Sequence, residues 1–72
     1  MTFPNRRIVE MLKADYPAGT RVELIRMDDP QAPPAGTLGT VLGVDDTGSL
    51  LMRWDTGSGL NVVYGEDSVR KI

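Results

Sequence analysis

The feature that most limits what this chain can fold into is how often it is cut. From Thr20 onward, Thr20–Met27 is the longest stretch free of Gly, Pro, Asn and Asp. Such punctuation leaves no room for a long helix and reads as short strands joined by tight turns. Thr20–Met27 alternates, with Val22 and Leu24 on one face and Arg21 and Glu23 on the other. Thr37–Val44 is a second strand, interrupted by Gly39 and Gly43, which mark a bend, a bulge or a close backbone approach. Asp45-Asp46-Thr47-Gly48 is a hairpin turn. Ser49–Asp55 follows as a strand with Leu50, Met52 and Trp54 on one face. Thr56-Gly57-Ser58-Gly59 turns the chain into Leu60–Tyr64, and Gly65-Glu66-Asp67 turns it again into Ser68–Ile72.

Residues 4–15 carry a different period. Ile8, Met11 and Leu12, flanked by Val9, recur at helical spacing, and Pro4 suits a first turn, where its missing N–H costs nothing. Tyr16-Pro17 stops the helix, because a residue before proline avoids the helical region. About three turns of helix are marginal alone, so this one must pack on the strands. Residues 28–36, with three prolines, form a loop that is either a rigid binding rim or a stiffened connection.

Five short strands with glycine turns make a small, strongly bent antiparallel barrel, and an SH3-like barrel is the natural match in size. The fold class is therefore mainly β: an SH3-like five-stranded barrel over about residues 20–72, preceded by the helix, in one domain spanning 1–72. The expected core is Val22, Leu24, Val41, Val44, Leu50, Met52, Trp54, Leu60 and Val62. It is thin for 72 residues. Ile25, Leu42, Leu51 and Val63 fall on the opposite face, where alternation should place polar residues. The helix can cover part of that face. What is left over favours a homo-oligomer or a binding surface.

Composition removes whole classes of chemistry. The 72 residues contain neither cysteine nor histidine. Disulfides, thiol nucleophiles, zinc sites built on Cys or His, and triads with an imidazole base are all excluded. No apolar run reaches the roughly 18 residues of a membrane span, so no membrane role is expected and a cytoplasmic location is. The net charge is −2 and unevenly spread: residues 1–27 carry +2 and residues 28–72 carry −4. Nucleic-acid binding rests on phosphate neutralisation by a basic surface, and this balance disfavours it.

The run Tyr16-Pro17-Ala18-Gly19-Thr20-Arg21-Val22-Glu23-Leu24 leads into Met27-Asp28-Asp29-Pro30 and Pro33-Pro34-Ala35-Gly36-Thr37-Leu38-Gly39-Thr40-Val41. Val44-Asp45-Asp46, Gly48 and Arg53-Trp54-Asp55-Thr56-Gly57-Ser58 complete the pattern. Over residues 8–72 or so, the chain resembles an uncharacterised small SH3-like domain family of bacteriophages, Firmicutes and their mobile elements. The resemblance implies a barrel and a phage or mobile-element setting. It carries no catalytic residues to transfer. Small phage proteins often act on the host or its immunity, which makes an anti-defence role an expectation by association.

Few residues are candidates for chemistry. Asp45, Asp46 and Asp55 are three carboxylates near the ends of one hairpin; turn chemistry explains them better than a metal site. Gly57-Ser58-Gly59 lacks the Lys and following helix of a phosphate-binding loop. No metal, cofactor or catalytic residue is expected, and the chain reads as non-enzymatic. Trp54 and Tyr64 are aromatics at strand ends, placed either to close the core or to line a groove. Arg21, Arg26 and Arg53 project from neighbouring strands, placed either to meet a phosphate or to form a solvated face paired with Glu23 and Asp55.

These residues support three readings. The first is a binding protein that sequesters a ligand or host factor, such as a nucleotide signal of host immunity, with arginines for phosphate and an aromatic for the base. The second is a protein- or peptide-interaction module built on an aromatic groove. The third is a nucleic-acid-binding barrel.

Overall fold

A computed structural model describes residues 5–72. Helix α1 spans Arg6–Asp15, and five strands follow: β1 Arg21–Arg26, β2 Leu38–Val44, β3 Ser49–Trp54, β4 Val62–Val63 and β5 Ser68–Lys71. They form one antiparallel sheet in the order β4-β3-β2-β1-β5. β4 and β5 are its two edges, so the sheet is not closed. The protein is thus mainly β with one helix.

Asn5 caps α1, its side chain accepting from the Ile8 amide at 3.0 Å. The expected start at Pro4 lies outside the described residues. Tyr16 ends the helix as its position before Pro17 requires, with its amide still reaching the Leu12 carbonyl at 2.8 Å. The buried stripe differs from the expected one: Val9 and Leu12 are buried while Met11 is 50% exposed. The reason is Tyr16, which packs on the core cluster. Val9, Leu12 and Tyr16 continue one line at spacings of three and four, and Met11 lies off it.

Val22, Leu24, Val41, Leu50, Met52, Trp54 and Val62 are the sheet's buried cluster. Val44 and Leu60, expected with them, are only half-buried. A bulge between Val41 and Gly43 shifts β2 against β3: Leu42 stays outward at 49% exposure, and Val44 comes opposite buried Leu50, where it packs against the edge of the cluster. Leu60 stays outside the ladder because side-chain bonds replace its backbone pairing. The Met52 amide donates to Asn61 Oδ1 at 3.1 Å, and Trp54 Nε1 donates to the Leu60 carbonyl at 2.8 Å. The fourth strand therefore shrinks from the expected Leu60–Tyr64 to Val62–Val63.

Trp54 is 1% exposed and lies across from Gly39. A Cβ at position 39 would stand 2.5 Å from Trp54 Cε3, so only glycine fits beneath the ring. The proline-bearing loop is tied to β1 rather than projecting as a free rim: Pro33 is buried, and the Gly36 amide donates to the Leu24 carbonyl at 2.7 Å. Among the described residues no helix is long and apolar enough to cross a membrane.

Candidate functional site

The outer face of the sheet carries the arginine candidates. Arg21 pairs across the ladder with Thr40, and Thr40 with Arg53. Arg21 is already engaged: Nη1 and Nη2 donate to the two Asp55 carboxylate oxygens at 2.9 and 2.7 Å, and Nη1 also donates to Thr40 Oγ1 at 2.9 Å. This fork holds the Asp55 carboxyl below its ordinary pKa and the Arg21 guanidinium above its own, the direct hydrogen bond being the main cause in each. Arg53 is exposed and makes no ion pair among the described residues. Arg26 sits at the far end of β1, opposite Ser68. The structure thus brings Arg21, Arg53 and Asp55 together and leaves Arg26 apart. Trp54 lies on the opposite, buried side of β3 and offers no face to a ligand.

The same row divides the apolar residues of that face. Leu42 and half-buried Leu51 lie on one side of Arg21–Thr40–Arg53, and exposed Leu38 and Ile25 on the other. The hairpin carboxylates are likewise separated and occupied. Asp45 Oδ1 accepts from the Thr47 hydroxyl at 2.6 Å and from the Thr47 and Ser49 amides at 3.0 Å, which lowers its pKa. Asp46 pairs with Lys13 at 3.4 Å, and Asp55 lies at the other end of β3. Among the described residues no three acidic groups converge as a metal site would require.

Tyr64 is the candidate with an available ring, 46% exposed in the turn between β4 and β5. That turn is fixed from within. The Val63 amide donates to Asp67 Oδ2 at 2.8 Å, and the Val63 carbonyl accepts the Glu66 and Asp67 amides at 3.1 and 3.0 Å. Gly65 takes φ +85°, a conformation side chains rarely adopt. Below Tyr64, on the unclosed side of the sheet, runs a groove of about 170 Å³. Leu12 and Tyr16 line it from α1 and its C-terminal cap, Leu50, Val62 and Val69 from β3, β4 and β5, and Asp67 is the single charged residue of its lining. In the sequence Tyr64 stands out as an aromatic at a strand end, whereas Tyr16 stands out only as a helix stop. The signal was there in its helical spacing from Val9 and Leu12.

A wider hollow of about 450 Å³ lies between α1 and Asp46. Its charges already satisfy one another, Arg6 with Glu10 at 3.2 Å and Lys13 with Asp46 at 3.4 Å. It offers a ligand little unmet chemistry.

A family model described as "Domain of unknown function (DUF4314)" matches residues 5–72. No curated protein and no solved structure matches the chain.

Proposed function

Since the chain belongs to the DUF4314 family, whose function is unknown, we propose from its surface that it is a non-enzymatic protein-interaction module. Its binding site is the groove beneath Tyr64. The observation that carries this reading is the groove's size and lining together. Pockets for small molecules measure roughly 300–1,000 Å³; this one is about 170 Å³, apolar, and walled by two tyrosines. It suits one anchoring side chain of a peptide and is too small to enclose a nucleotide. Sequestration of a nucleotide would draw on Arg21 and Trp54, and these are engaged by Asp55 and closed into the core. A nucleic-acid interface would draw on a basic face, and the outer row's Arg21 charge is matched by Asp55.

The sheet order, with β1 beside β5 and a bulged β2, supports reading the fold as an SH3-like barrel with one side left open to α1. The family resemblance supports a phage or mobile-element setting in a bacterial cytoplasm, where such a module would mask a host protein. Self-association would draw on Leu42 and Leu51, but the arginine row cuts them off from Ile25 and Leu38, which favours the groove as the main interaction surface.

The test is affinity purification of tagged wild type, Tyr64→Ala and Arg53→Ala. A stoichiometric protein partner retained by wild type and Arg53→Ala but lost with Tyr64→Ala is the expected result. The opposite pattern would move the site to the arginine face.

A further inference from the structure

One tyrosine of the groove already holds a cation from outside the groove's lining. Lys71 Nζ stands 5.3 Å from the centroid of the Tyr16 ring. The same ammonium donates to the Asp15 carbonyl at 3.1 Å and lies 3.5 Å from the Asp15 carboxylate. An aromatic face plus a neighbouring carboxylate is the ordinary recipe for seating a lysine or arginine. The other tyrosine of the groove has the same ingredients. Tyr64 is followed in its turn by Glu66 and Asp67, and Asp67 Oδ2 is anchored on the Val63 amide, which fixes the carboxylate at the groove's edge. Among the described residues no cation of this chain stands over Tyr64, and neither Glu66 nor Asp67 makes an ion pair.

The neighbouring charges point the same way. Lys13 is matched by Asp46, Lys71 by Asp15 and Arg70 by Glu23. Arg26, opposite Ser68, is the remaining cation close in the ladder, against the two carboxylates of Glu66 and Asp67. Residues 28–72 as a whole carry −4.

We propose that the occupant of the groove is a cationic peptide segment: an apolar side chain seated among Leu12, Leu50, Val62 and Val69, with an adjacent Lys or Arg over Tyr64 against Glu66 and Asp67. This rests on the groove being the binding site. It adds the sign of the partner's charge, which the groove alone does not fix.

The test is selection of random dodecapeptides from an mRNA-displayed library against the whole chain, with the winners mapped by amide chemical shifts. The expected winners carry Lys or Arg beside an apolar residue and shift Gly48, Tyr64, Gly65 and Val69. Glu66→Lys should weaken them roughly fivefold at low salt, and Arg26→Ala should strengthen them, as rim charges do. Winners that shift the same amides but are acidic, or that bind more weakly to Arg26→Ala, would overturn the charge assignment and leave the groove standing. Winners that map elsewhere would overturn both.

Discussion

Gly39 and Trp54 show how much one residue can fix. With a Cβ 2.5 Å from the ring, Gly39→Ala must move either the indole or β2. Overpacking of this kind costs about 1–3 kcal/mol, so urea denaturation should show a loss of about that size. Trp54 was open to both a core and a groove role in the sequence, and alternation could not choose between them. The choice lies in a cross-strand neighbour, Gly39, that only the ladder reveals. Asp45 makes a second residue-scale prediction. Three hydrogen bonds favour its charged form in the folded chain, so its folded pKa lies below the ordinary value. Its contribution to stability is complete above the ordinary carboxylate range and is lost as pH falls through the depressed folded value. Asp45→Asn keeps an acceptor and removes the charge. Its urea midpoint should fall less than that of wild type as pH is lowered from neutral into the acid range. Equal slopes would contradict this account of the turn.

At the scale of elements, β1 and β3 are legible from the inward residues at every second position, Val22 and Leu24 in one and Leu50, Met52 and Trp54 in the other, despite Ile25 and Leu51 on the outer face. Strands are less legible where a side chain replaces the backbone. Asn61 and the Leu60 carbonyl serve Met52 and Trp54 in place of a ladder, and no propensity marks that substitution. The helix was legible as a helix, but its inward face was set by Tyr16 beyond its end. Leu12 is buried and lines the groove, so Leu12→Ala should cost about 2–3 kcal/mol in urea denaturation. Asn5→Ala should cost roughly 1 kcal/mol through the lost cap. Hydrogen exchange gives an independent check. The central strands β1 to β3 hold most of the buried cluster and should be the slowest to exchange, with α1 and β4 opening first.

At the scale of the whole molecule, the groove belongs to no single element. It needs Leu12 and Tyr16 from the start of the chain, Leu50 from the middle, and Val62, Tyr64, Asp67 and Val69 from the end. The sequence could place Tyr64 at a strand end, but not α1 across the unclosed side of the sheet. That depends on which strands become edges. Of the arginine candidates, Arg21 and Arg53 meet across Thr40, while Arg26 stays apart because β1 carries Arg21 and Arg26 at opposite ends of its ladder. Arg53→Ala should leave both stability and partner binding close to wild type, because Arg53 is exposed and makes no ion pair among the described residues. The most direct measurement of the groove's role is site-specific photo-crosslinking in living cells, with a benzophenone side chain at position 64 and, separately, at position 53. A protein-sized adduct at 64 and none at 53 is the predicted result. Adducts at 53 alone, or a nucleotide-sized mass at 64, would contradict the claim that this groove receives a protein partner.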